Sequence, residues 1–163
     1  MFPTPTAIAA RRAAFRQLHA SGCFVIPNPW DVGSARWLAQ LGFKALASTS
    51  SGATWSQGCA DGQMPLPAVL AYLRALVAAT ELPVNADFES GLADSPEGVA
   101  QNVRAAIDTG IAGVSIEDST GDAAQPLFDL PTGVARLRAA RAAIDASRQD
   151  VMLVGRAENF VAG

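Results

Sequence analysis

At 163 residues, half of them hydrophobic and 17% charged, the chain is long enough for one domain with a real core and too apolar to be disordered. Its net charge of −3, without a Lys/Arg block, gives no sign of nucleic-acid binding, and its apolar stretches are broken by Arg, Pro or Gly well short of a membrane span. The two cysteines, Cys23 and Cys59, supply neither a disulfide framework nor a metal-ligand spacing, so a cytoplasmic protein is expected.

Ile8, Phe15 and Leu18 share one face of a leading helix that runs to about His19, which caps or flanks it, and Gly22 stops it. Residues 23–27 (CFVIP) read as a first strand, residues 32–42 as a helix ending at Gly42, and residues 44–49 (KALAST) as a second strand. Pro67 opens a helix carrying Val69, Leu70, Leu73, Leu76 and Val77, and residues 82–87 (LPVNAD) form a third strand. Ser95 and Pro96 give an N-cap and first helical position ahead of Val99, Val103 and Ile107, with Gly110 as the stop. Residues 112–118 (AGVSIED) are the fourth strand. Pro131 begins a helix with Val134, Leu137 and Ile144, and residues 151–156 (VMLVGR) are the fifth strand.

This βα alternation demands a parallel sheet covered by helices, in one domain spanning 1–163, with residues 1–22 as the leading helix. An open doubly wound sheet and a (β/α)₈ barrel both fit. No glycine-rich phosphate loop follows the first strand, which weakens the nucleotide-binding version. Polar residues gather where the strands end: Asn28 and Asp31, Thr49 to Ser51, Asn85 and Asp87, Glu117 and Asp118, Arg156 and Glu158. In a parallel α/β fold those ends lie on one rim, where active sites are built.

Several of these residues have ordinary readings. Asp31 suits an N-cap, Cys59 a loop thiol, and Trp30, Trp37 and Trp55 packing. Glu97, Asp108 and the arginines from Arg136 to Arg148 suit solvated helix faces, and Glu89, beyond its strand, a loop contact. Asp87, Glu117 and Arg156, at matching ends of three successive strands, are harder to assign to structure alone. Carboxylates with an amide on one rim make a hard, oxygen-rich site suited to Mg²⁺, and a neighbouring arginine suits a substrate carboxylate. Such a cation polarises the oxygen that becomes an enolate as an adjacent bond forms or breaks.

The segments PNPWDVGSARWLAQLGFKALASTSSG, PVNADFESG, GVSIEDS and VGRAE together resemble the isocitrate lyase/phosphoenolpyruvate mutase superfamily, from Phe15 onward. The resemblance implies a TIM-type (β/α)₈ barrel, of which about five βα units are present, and a Mg²⁺-dependent enzyme for small 2-oxo or 2-hydroxy acids. It places Asp87, Glu117, Asn85 and Asp61 at the metal, Thr49, Ser50, Ser51 and Arg156 on the substrate, and makes Arg156 and Asp61 the catalytic residues. A homo-oligomer with a small carboxylic-acid substrate, and no membrane or nucleic-acid partner, is expected.

Three departures qualify this. Asn85 stands where the family usually has an aspartate. The loop after the fourth strand reads STGDAAQPLFD (119–129), without the lyases' Lys/Arg-Cys-Gly motif, so a true isocitrate lyase is not expected. A complete barrel of this kind needs roughly 250 residues, which makes a fragment of a longer protein the expectation. The rival readings are a non-catalytic binding domain on the same fold and a flavodoxin-like domain, whose strand order would be 2-1-3-4-5.

Overall fold

A computed structural model describes residues 1–162. The elements, in chain order, are α1 (Pro5–Leu18), α2 (Val32–Gln40), β1 (Leu46–Ala47), α3 (Ser50–Ser56), α4 (Leu66–Ala79), β2 (Val84–Asp87), α5 (Pro96–Ile107), β3 (Gly113–Glu117), α6 (Leu130–Ser147), β4 (Met152–Arg156) and α7 (Asn159–Ala162). The four strands are parallel and lie in chain order, β1-β2-β3-β4. That order suits a barrel wall and not the flavodoxin-like alternative.

Local signals explain most boundaries. Asp31 caps α2 in a reciprocal capping box: its carboxylate accepts the Ser34 N–H at 2.7 Å, while the Ser34 hydroxyl engages the Asp31 N–H. Ser95 caps α5 ahead of Pro96, and Asp129 caps α6. The latter sets the start of α6 at Leu130, one residue before Pro131.

One expected strand is not formed. Residues 23–27 carry no strand pairing, and their link to β1 is a single hydrogen bond, from the Ala47 N–H to the Pro27 carbonyl at 3.0 Å. Pro27 has no N–H to return, Pro29 follows closely, and Val25 is 68% exposed; Phe24 and Ile26 are partly buried, but against Phe15 of α1, which supplies no ladder hydrogen bond. The second strand is likewise shorter than its apolar run, only Leu46–Ala47. Conversely, α3 forms where a strand-end loop was expected, because the Thr49 side chain caps the Gly52 N–H at 3.2 Å.

Alternation along the strands divides two environments. Val84 and Ala86 of β2, with Val114 and Ile116 of β3, pack among Leu73, Leu76, Val99, Val103 and Ile144 from the covering helices. Asn85 and Asp87, with Gly113, Ser115 and Glu117, occupy the other face. At the N-terminal end of the strands α1 closes this inner face: Phe15, 1% exposed, packs with Ala45, Ala112, Phe24, Ile26 and Met152. Buried Arg12 fixes α1 there by donating to the carbonyls of Ile111 (2.8 Å) and Ile107 (3.0 Å). No helix among the described residues is long and apolar enough to cross a membrane.

Two readings of side chains are corrected. Trp30, Trp37 and Trp55 are 52%, 65% and 67% exposed, so none of them packs in the core. Arg136 does not lie on a solvated helix face; it is 1% exposed. The Ala-rich α6 presents its core face through Arg136, Ala140, Ala143 and Ile144, and a long aliphatic stem reaches loop carbonyls that apolar residues could not satisfy.

Candidate active site

The polar strand ends converge as the alternation requires. One guanidinium nitrogen of Arg156, Nη1, lies 3.4 Å from Asp87 Oδ1 and 3.3 Å from Glu117 Oε2, bridging the ends of β2 and β3 from the end of β4. Its Nε pairs with Glu158, whose own N–H donates to Asp118 Oδ1 at 2.8 Å. On the other side, Ser50 donates to Asp87 Oδ2 from its N–H (3.0 Å) and its hydroxyl (3.2 Å), and the Asp87 N–H donates to the Ser48 hydroxyl at 2.8 Å. Asp87 is thereby oriented by three neighbouring groups.

Acidic groups outnumber the single arginine. A cleft of about 600 Å³ beside Asp87 is lined by Asp61, Glu89, Glu117 and Asp122, with the hydroxyl residues Ser50, Ser119 and Thr120 between them. Burial raises the Glu117 carboxyl to a pKa of about 7; Arg156 opposes the shift, and the charges of Asp87, Glu158 and Glu89 add to it. Glu89 is raised too, by burial and then by Asp61 and Asp87. Burial works against the charge on Arg156, yet Glu117, Asp87 and Glu158 outweigh it and raise its pKa. A pocket of surplus negative charge made of hard oxygens is the chemistry that a small divalent cation neutralises.

The expected metal residues divide into two sets. Asp87 and Glu117 face the same guanidinium, and Asp61, held by the Ser51 hydroxyl at 2.5 Å, lines the same cleft. Asn85 lies one layer deeper, 7% exposed. Its Nδ2 donates to the Ser115 hydroxyl at 3.3 Å, and its Oδ1 is a buried oxygen without a partner among the described residues. That oxygen points at Gly113, 2.5 Å from where a Cβ would stand. The expected substrate-binding hydroxyls are all engaged: Thr49 in its cap, Ser50 with Asp87, and Ser51 with Asp61. Thr49 and Ser51 also line a second, shallower pocket of about 440 Å³ with Asn28, Trp30 and Trp55.

Among the described residues no three carboxylate, imidazole or thiol groups already converge as a metal cage. Mg²⁺ does not need one, since it keeps several waters and takes one or two carboxylates directly, so the Asp87–Glu117 pair fits it. Sequence reasoning set Glu89 aside as a loop contact. It does lie beyond β2, at φ 48, yet its carboxylate lines the cleft; the left-handed turn brings it there, and strand alternation, which ends at Asp87, gives no signal for it. Tyr72 was missed altogether; its hydroxyl donates to the Pro29 carbonyl at 2.7 Å from beneath the same rim, and burial pushes its pKa up to about 12.

Comparison with known proteins agrees with this geometry. The family model described as phosphoenolpyruvate phosphomutase matches residues 15–163. The chain belongs to that family. A candidate lyase/mutase of Burkholderia cenocepacia J2315 superposes with a TM-score of 0.92 at 44% identity, over 96% of this chain and 57% of that one. The structure of 2,3-dimethylmalate lyase, a member of the PEP mutase/isocitrate lyase superfamily, gives a TM-score of 0.82 at 30% identity, over 97% and 55%. An uncharacterized protein of Mycobacterium tuberculosis is 37% identical over 125 residues, 76% of this chain and 46% of the relative. The chain thus spans about half the length of the family members it matches, and the sheet is part of their barrel.

Proposed function

We propose that the protein of which this chain is a member or a part is a Mg²⁺-dependent enzyme acting on a small 2-oxo or 2-hydroxy carboxylic acid, through an enolate-like species. The observation that carries this reading is Arg156 Nη1 set between Asp87 and Glu117 at adjacent strand ends, beside a cleft with four carboxylates. Asp87 and Glu117 would hold the cation, and Asp61 would add negative charge to the cleft that it lines with Glu117. The cation supplies charge stabilisation for the oxygen that becomes an enolate. Ser50 and Ser48 keep Asp87 in one orientation, and Ser51 does the same for Asp61. Arg156, drawn into place by Glu158, has guanidinium N–H groups suited to a substrate carboxylate. Asn85 supports the layer below as a neutral strut.

The choice among C–C lyase, P–C mutase and hydrolase rests with residues lining the remainder of the cleft. The hairpin between β3 and α6, paired at Ser119 and Leu127, brings Asp122 to the cleft and contains no thiol, so cleavage of isocitrate is not expected. The test is calorimetric titration with Mg²⁺ of the wild type and of Asp87→Ala, followed by Mg²⁺-dependent turnover of oxaloacetate. Binding that disappears in Asp87→Ala supports the metal site, and equal affinity in both proteins refutes it. Metal binding without turnover of any oxo or hydroxy acid would favour the non-catalytic reading.

A further inference from the structure

Every carbonyl of the loop that leaves β2 is engaged by a donor. Phe88 O accepts the Gly91 N–H at 2.8 Å, and Glu89 O accepts the Glu117 N–H at 2.9 Å. From α6, the buried Arg136 donates to Ser90 O through Nε (3.2 Å) and Nη2 (2.8 Å), to Asp94 O through Nη1 (3.0 Å), and to Ala93 O. From α5, Asn102 Nδ2 donates to Gly91 O (3.1 Å) and Leu92 O (2.7 Å). The carbonyls of five successive residues, Ser90 to Asp94, therefore end on two side chains.

The backbone explains why such support is needed. Glu89, Gly91 and Leu92 have φ values of 48, 96 and 52, and only the glycine adopts that region without cost. A Cβ at Gly91 would stand 2.7 Å from Val99, so the loop is also pressed against α5. Strained backbone of this kind persists where surrounding contacts over-determine it. The Arg136 guanidinium also lies 4.4 Å over the Phe128 ring, and Phe128 closes the base of the hairpin whose residues 119–122 line the cleft, by donating its N–H to Asp118 O at 2.9 Å.

We propose that Arg136, assisted by Asn102, is a positioning residue for the acid cleft. It holds Phe88–Asp94 in a strained conformation that keeps the Glu89 carboxylate in the cleft and the Glu89 carbonyl on the Glu117 N–H. At the same time it ties that loop to the base of the 118–128 hairpin. The inference rests on the cleft being the working site. Arginine suits the task because a planar fork reaches three carbonyls and stacks on a ring, whereas a lysine is a single point charge on a flexible stem. Among the described residues Arg136 makes no ion pair with a carboxylate, so its full donor set is available to the loop.

The experiment compares wild type, Arg136→Lys, Arg136→Met and Asn102→Ala by hydrogen exchange, read by mass spectrometry, and by Mn²⁺ affinity, read by electron paramagnetic resonance. Arg136→Lys should still unfold cooperatively, but exchange in 88–94 should quicken and Mn²⁺ affinity should fall, each roughly tenfold, equivalent to one lost net contact. Asn102→Ala should shift both in the same direction by less, while α4 peptides exchange as in wild type. Unchanged exchange of 88–94 in both Arg136→Lys and Asn102→Ala would overturn the clamp, even if Arg136→Met fails to fold. Faster loop exchange with unaltered Mn²⁺ affinity would overturn its role in positioning the cleft. A wild type that takes up no Mn²⁺ would overturn the reading of the cleft, and the exchange data would still decide separately whether the clamp holds the loop.

Discussion

Glu117 is the residue at which site chemistry and stability meet. Its carboxyl, raised by burial to about 7 from an ordinary value of 4.5, holds a proton in the folded chain over a range where the unfolded chain has released it. The folded state therefore binds more protons between those two values, and stability falls as pH rises through that window. Because the carboxyl is only half-buried, solvent screening reduces this loss to about 1–2 kcal/mol, below the full 1.36 kcal/mol per unit. Urea denaturation without metal should show stability declining from pH 5 to pH 7, and saturating Mg²⁺ should remove most of the decline by stabilising the ionised form. Stability that is flat or rising over that interval would mean Glu117 is not buried among like charges. Asn85 gives the complementary case. An aspartate there would sit beneath the rim beside the Ser115 hydroxyl and near Phe15, where a charge lacks solvent. Asn85→Asp should lower the melting temperature in chelator and gain more from Mg²⁺ than wild type does, because the anion then has a cation above it. An equal Mg²⁺ response in the two proteins would show that position 85 does not sense the metal.

At the scale of elements, the approach of β2 to β3 depends on a residue without a side chain. A Cβ on Gly113 would come within 2.5 Å of Asn85 Oδ1 and 2.6 Å of the Phe15 ring, so Gly113→Ala forces the amide or the ring to move. Overpacking of this kind typically costs about 1–3 kcal/mol. Thermal unfolding should register the loss, and Phe15→Leu in the same background should recover part of it; an unchanged melting temperature would mean the inner layer has slack. What was legible at this scale follows from periodicity. The apolar spacing of α4 and α5 and the caps at Asp31 and Ser95 fall where the residues imply, and so do the polar ends of β2, β3 and β4. The misread pieces depend on partners distant in sequence. Residues 23–27 have strand-like composition, but a strand exists only through its neighbours, and β1 offers them one hydrogen bond. Arg136 looks solvated in sequence because nothing local shows that the carbonyls of residues 90, 93 and 94 will lie beside it. Glu89 enters the cleft through a left-handed backbone that no periodic pattern encodes.

At the scale of the whole chain, the sheet formed by the described residues does not close on itself. The order β1-β2-β3-β4 leaves β4 as one edge, and beyond β1 residues 23–27 add only the Pro27 contact at the other. The chain spans 57% and 55% of two family members of known structure, and its sheet corresponds to part of their barrel. Large apolar side chains stand near both edges: Val25 is 68% exposed on one side, with Leu130 80% and Phe160 94% exposed on the other. An apolar groove of about 420 Å³ runs between α6 and β4, walled by Ile116, Val134 and Leu137. Unpaired strand edges flanked by exposed apolar groups favour association with whatever chain supplies the missing hydrogen bonds and burial. The 163-residue chain studied alone should therefore self-associate with rising concentration in sedimentation velocity and bind an apolar dye. A lysine edge is a recognised deterrent to strand pairing, so Val25→Lys combined with Leu130→Lys should shift the distribution toward monomer while leaving the helical circular dichroism intact. A wild-type chain that stays monomeric at high concentration and binds no dye would show that the open wall is satisfied within one chain, and the exposed edges would then need a different explanation.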